Sequence, residues 1–161
     1  MRQLFTFHGG IHPPDNKAQS TAQPITSVPL PRELIIPLRQ HAGEVAKPVV
    51  QVGEQVLKGQ LIGAPVGAFS AAIHAPTSGT ITAIDPHPIA HPSALTEQCI
   101  SLAADGRDEW IERHPVDYRA LSNAELQAHL RAHGIVGLGG AAFPSDLKLR
   151  HAIPVETLIL N

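Results

Sequence analysis

The hydrophobic positions change their spacing once along the chain. From Glu33 to Leu102 they fall in short runs, many β-branched: Leu34-Ile35-Ile36, Val49-Val50-Gln51-Val52, Val56-Leu57, Leu61-Ile62 and Ala72-Ile73-His74-Ala75. Thr80-Ile81-Thr82-Ala83-Ile84 alternates strictly, and Gln98-Cys99-Ile100-Ser101-Leu102 closes the set. Each run is too short for a helix, and period-two alternation bounded by turn residues predicts strands. The breaks are Gly53-Glu54, Lys58-Gly59 and Pro76-Thr77-Ser78-Gly79, all suited to tight turns. Residues 8–24 carry prolines and polar residues and predict an extended loop. Asp85-Pro86-His87-Pro88-Ile89-Ala90-His91-Pro92 predicts a second, proline-pinned loop. Many short strands at turn spacing make a small antiparallel barrel or sandwich.

After a connection over 105–121 the period becomes helical. Trp110 and Ile111 in that connection are expected to pack back on the barrel as a lid. Ser122-Asn123-Ala124-Glu125 has the spacing of a capping box, with Leu121 and Leu126 placed as its hydrophobic staple. Leu126, Leu130 and flanking alanines give an apolar stripe, and Gly134 supplies the stop, so a helix is expected over 123–133. Ile135-Val136 leads into a glycine stretch, and Val155-Glu156-Thr157-Leu158-Ile159-Leu160 predicts a buried strand ending at Asn161. Helix, glycine loop, short helix and strand form an α/β arrangement, a fold type that binds ligands where loops leave the carboxyl ends of strands.

The glycine stretch is the chemically distinctive segment. In Gly137-Leu138-Gly139-Gly140-Ala141-Ala142-Phe143-Pro144-Ser145-Asp146-Leu147-Lys148, side-chain-free backbone lets a run of amides face an anion. Pro144 suits the first position of a short helix, and Lys148 on that helix can reach a bound anion as a point charge. The spacing matches neither G-x-G-x-x-G nor the phosphate loop ending in Gly-Lys-Ser/Thr. On spacing alone, a nucleotide-type site and a plain tight turn both stand.

Composition narrows the field. Charged residues are 16% of the 161 and the net charge is −2, which removes the basic patch that a nucleic-acid partner requires. Cys99 is the single cysteine, so neither an internal disulfide nor a cysteine-rich metal cluster can form, and in its strand it is expected to be a small buried hydrophobe. His8 with His12, and His129 with His133, are spaced as metal pairs can be, but no third ligand accompanies either; ordinary loop histidines and a solvated helix face are expected. The N-terminus lacks the apolar run of a signal peptide, and no window approaches the ~18 apolar residues of a membrane span. A cytosolic chain without a direct membrane span is expected.

Two resemblances follow from these motifs. Val52-Gly53-Glu54-Gln55-Val56-Leu57-Lys58-Gly59-Gln60-Leu61, followed by Ala75-Pro76-Thr77-Ser78-Gly79-Thr80-Ile81, resembles the barrel-sandwich hybrid of biotinyl and lipoyl carrier domains. Carriers need a lysine at the hairpin tip between these motifs. Here Pro65-Val66-Gly67-Ala68-Phe69-Ser70-Ala71 has none, so the fold is kept and the swinging-arm function rejected. The glycine stretch with Lys148 and Asn161 resembles the flavin loop of the NADH-oxidising subunit family of respiratory complex I. With Gly9-Gly10-Ile11-His12-Pro13 and the barrel, the whole chain resembles the RnfC/RsxC family of Rnf/Rsx electron transport complexes. One departure is Ala142, where many relatives carry glycine.

The resemblance implies a barrel-sandwich hybrid at 1–118 and the truncated start of a Rossmann-like α/β FMN/NADH-binding domain at 119–161. It implies an NADH:acceptor oxidoreductase subunit that takes hydride from NADH onto FMN, passes electrons to iron–sulfur (4Fe-4S) clusters and is coupled to ion translocation. Gly137, Gly139, Gly140 and Ala141 match the residues that wrap the FMN, and Lys148 and Asn161 match residues that contact it. The implied partners are other subunits of a membrane complex, on the cytoplasmic face of the bacterial inner membrane. Family members continue past the equivalent of Asn161 with an acidic nucleotide-contacting segment and cysteine clusters. The 161-residue piece is therefore expected to hold FMN weakly or not at all and to have no NADH oxidation of its own. The alternative is a non-catalytic docking or assembly module.

Overall fold

A computed structural model describes residues 8–11, 13–90, 93, 95–150 and 157. Among the described residues, seven strands build two sheets. The first runs in the order β1 (Glu33–Pro37), β7 (Thr96–Ala104), β6 (Gly79–Pro88), β3 (Gln55–Val56); the second in the order β2 (Lys47–Pro48), β4 (Leu61–Ala64), β5 (Ile73–His74). Every pairing between these strands is antiparallel, as in a folded-over half-barrel. Between the sheets lies one core of Ile36, Leu38, Val50, Val56, Ile62, Ile73, Ile81, Ile100 and Leu102. Burying a side chain of that size stabilises by roughly 1.5–3 kcal/mol, so these residues hold the barrel without a staple. Cys99, on β7, is buried too; its Sγ donates to the Glu97 carbonyl at 3.3 Å, and burial pushes its thiol pKa up, which keeps it unreactive.

Two stretches differ from the sequence expectation. Val49–Val52 is not a strand. Val49 still donates to the Ile62 carbonyl, but the Gln51 amide turns to the Glu54 carboxylate and Gly53 takes φ +89°, so the chain bends instead of extending. The first half of the proline-pinned loop, Asp85 to Pro88, is strand, because β6 runs on to Pro88 and pairs Pro86 with Gln98 and Pro88 with Thr96; His91 and Pro92 lie outside the described residues. Beyond Thr80 the other edge of β6 has no partner strand among the described residues, and an open edge tolerates residues that lack an N–H. A bulge between Ile81 and Ala83 shifts the register and re-aims this arm.

In the Pro76-Thr77-Ser78-Gly79 turn Thr77 and Ser78 are buried and polar, which needs partners. Thr77 Oγ1 donates to Asp108 and Ser78 Oγ to Asp105, both at 2.8 Å, and Ser78 Oγ accepts from the Glu109 amide. These bonds hold the carboxylates of Asp105 and Asp108 below the usual range: the Arg107 amide and Ser78 act on Asp105, Lys58 and Thr77 on Asp108. The segment after β7 is thereby pinned to the barrel, and Trp110 does pack back: a Cβ at Gly59 would lie 3.0 Å from its ring.

The helix expected over 123–133 is α1, Asn123–Ala132. Ser122 accepts from the Glu125 amide and Glu125 reaches back to the Ser122 amide, so the capping box is formed. Gly134 follows at φ +65°, and its missing side chain lets the chain lie on the Ala72 carbonyl. Helix α2, Ser145–Lys148, opens after Pro144. Strand 155–160 and Asn161 lie outside the described residues, apart from exposed Thr157.

Candidate functional site

The glycine stretch forms a closed loop. Val136 bridges to Pro144, Gly137 donates to the Phe143 carbonyl at 2.8 Å, and Ala142 donates to the Gly139 carbonyl at 2.9 Å across the tip. These bonds use the loop's ends. Among the described residues, the amides of Leu138, Gly139, Gly140 and Ala141 donate to no protein acceptor. Around Gly139 and Gly140 a side chain would meet nothing within 4 Å, so that backbone faces open space. Helix α2 carries Lys148 back under the loop, where its Nζ would lie 2.5 Å from a Cβ on Gly137 and sits 5.9 Å from the Phe143 ring centre. No carboxylate pairs with Lys148 among the described residues. A row of unbonded amides beside an unpaired ammonium suits a phosphate-bearing ligand.

The structure thus joins Gly137 to Lys148, places Gly139 and Gly140 at the exposed tip, and turns the Ala141 carbonyl to the barrel, where it accepts from the Ala42 amide at 3.0 Å. Asn161 lies outside the described residues. The loop's left-handed residue is not one of its glycines: Ala142 has φ +43°. Asp146 is buried, and neither oxygen makes a hydrogen bond; its nearest cation is Arg150 at 3.5 Å.

Residues with no sequence signal also serve the loop. Phe69 packs on Phe143 with ring centres 4.9 Å apart. Phe69 stands on the hairpin tip where carriers bear lysine, so the tip is occupied as well as unmodifiable. Arg131 of α1 donates to the carbonyls of Gly67 and Ala68 there.

A second concavity of about 810 Å³ lies between Gly59, Leu61 and Pro76 of the barrel, Trp110 to Val116, and α1. Lys58 and Arg113 sit 5.0 and 4.8 Å from the Trp110 ring centre. His129 and His133 stack at 5.7 Å on its helical wall. His74 is held below its ordinary pKa, first by burial and then by the neighbouring His133. Among the described residues, no three His, Cys, Asp or Glu side chains converge as metal ligands.

Two closely facing sheets, the Pro-Thr-Ser-Gly turn and a clamped hairpin define a barrel-sandwich hybrid that has no carrier lysine. The family of the RnfC barrel sandwich hybrid domain matches residues 5–107, and the chain belongs to that family. Relatives named as the C component of an ion-translocating oxidoreductase complex align with it from end to end. With the one from Serratia proteamaculans it is 50% identical over 161 residues, covering 99% of this chain and 23% of the relative. With its namesake from Pseudomonas aeruginosa it is 50% identical over 164 residues, 100% of this chain and 21% of the relative. For Vibrio cholerae the identity is 46%, over 99% of this chain and 21% of the relative. The chain spans about a fifth of the length of these curated relatives.

Proposed function

We propose that this chain supplies the barrel and the start of the FMN-binding α/β domain, divided near residue 118, of an NADH-oxidising subunit in an ion-translocating oxidoreductase complex. The names of the relatives support the complex. The observation that carries the flavin reading is the row of unbonded amides at 138–141 with Lys148 folded back against Gly137. The residues fit the group: a flat phosphorylated ring needs bare backbone to approach and a cation for its charge. Gly137, Gly139, Gly140 and Ala141 would wrap it, Lys148 would neutralise its phosphate or polarise its ring, and Asn161 would hydrogen-bond it. FMN, when bound, supplies the conversion of a two-electron hydride into single electrons. This chain's residues bind and orient it. Iron–sulfur clusters of the complete subunit would be held outside this chain, whose single thiol is buried in the core.

Among the described residues no helix is long and apolar enough to cross a membrane. Under this reading the subunit would sit peripherally on the cytoplasmic face, against other subunits. In the complete subunit, Lys148→Ala should lower the flavin retained on purification, and Lys148→Arg should restore part of it. Unchanged flavin stoichiometry in Lys148→Ala would refute the assignment. The exposed Trp110 groove favours the alternative, a docking or assembly role. Under that reading, Trp110→Ser reduces recovery of the assembled complex while leaving flavin content unchanged.

A further inference from the structure

The barrel touches the glycine loop at two places that bracket its strained residue. On one side the Ala42 amide donates to the Ala141 carbonyl at 3.0 Å. On the other the Phe69 ring packs on Phe143. Ala142, at φ +43°, lies between them. An alanine keeps that conformation only where its surroundings impose it.

Both barrel contacts are themselves fixed. His41 is buried, with Nε2 3.1 Å from both the amide and the carbonyl of Ala71 and Nδ1 3.0 Å from the Ala42 carbonyl, so its ring ties the hairpin to the segment that carries the Ala42 amide. The Phe69 carbonyl accepts from the Glu44 amide at 2.8 Å, and Gly43 has no side chain because a Cβ there would lie 2.7 Å from Phe69 Cγ. Ser70 Oγ donates to the Glu44 carbonyl at 3.0 Å. Arg131 binds the tip carbonyls of Gly67 and Ala68, and its own carbonyl accepts from Ala72 at 3.4 Å. The hairpin whose tip bears the lysine in carrier domains is here held by Glu44, Arg131 and His41.

We infer that this hairpin, through Phe69, is the seat that sets the position of the glycine loop, and that Phe69 is a positioning residue for whatever the loop binds. The seat itself does not depend on the ligand; its consequence for flavin rests on the function proposed above. The barrel and the loop segment then act as one unit, and a load on the barrel reaches the binding loop without an intervening linker.

Amide hydrogen exchange on this chain tests the seat directly. Gly137 and Ala142 report the loop; Gly53 and Ile81, bonded to Ile81 and Glu54 carbonyls, report the barrel core. Phe69→Ala should speed exchange at Gly137 and Ala142 about 2- to 12-fold, the rate equivalent of the attraction of an aromatic pair beyond its buried area. Exchange at Gly53 and Ile81 should not change, and Phe69→Tyr should restore the loop. Unchanged loop exchange in Phe69→Ala, or an equal rise at Gly53 and Ile81, would overturn the inference. In the complete subunit, Phe69→Ala should lower flavin content and Phe69→Tyr should recover it. Faster loop exchange with full flavin content would leave the seat standing and remove the flavin reading instead.

Discussion

Ala142 offers a substitution whose sign runs against the usual destabilising trend. Its φ of +43° lies on the left-handed side, where an L side chain crowds its own backbone at a cost of roughly 1–2 kcal/mol. Ala142→Gly removes that crowding but returns about 0.4–1 kcal/mol of entropy to the open chain. The difference leaves the closed loop favoured by about 0.5–1 kcal/mol. The loop opens locally, so global melting is the wrong readout. The Gly137 amide, bonded to the Phe143 carbonyl at 2.8 Å, is exposed only when the bridge between Val136 and Pro144 parts. Its hydrogen exchange in Ala142→Gly should slow about 2- to 5-fold, since 1.4 kcal/mol corresponds to a factor of ten. Exchange at Ile81 in the barrel should stay constant. Equal or faster exchange at Gly137 would refute the argument, because it would mean that no strain is held at residue 142.

Two further predictions concern the junction of helix α1 with the barrel. Gly134→Ala puts a Cβ inside contact distance of the Ala72 carbonyl at a left-handed position, and should weaken the junction by about 2–3 kcal/mol, combining the conformational cost with a lost hydrogen bond; faster exchange at the Ala72 amide, which bonds to Arg131, checks it. His74 sits below its ordinary value of 6.5, so between its native pKa and 6.5 the unfolded chain binds more protons, and stability falls as pH drops through 6.5. Urea midpoints at pH 7.5 and 5.5 should differ less in His74→Gln than in the parent, and an identical pH dependence would count against the burial argument.

Local rules carried much of the architecture. The capping box of Ser122 and Glu125, the stop at Gly134 and most of the barrel strands follow from neighbours in sequence, whose hydrogen bonds and burial period are local properties. The missing lysine at 65–71 was equally legible, as were the glycine loop and the residue types suited to an anion. The extent of β6 was not. Prolines argue for a loop until a strand with an open edge is known to carry them, and openness of an edge is a property of the whole sheet.

The amino-acid order by itself determined which segments could be strands, where helix α1 begins and ends, and that bare backbone at 137–140 is followed by an amine at 148. Folding alone decided what that backbone rests on. Phe69 and Ala42 lie far from Phe143 and Ala141 along the chain, and nothing in their local sequence marks them. Contacts across such separations are chosen by how two closed surfaces fit together, which is why the left-handed Ala142 and its seat on the barrel become visible only in three dimensions.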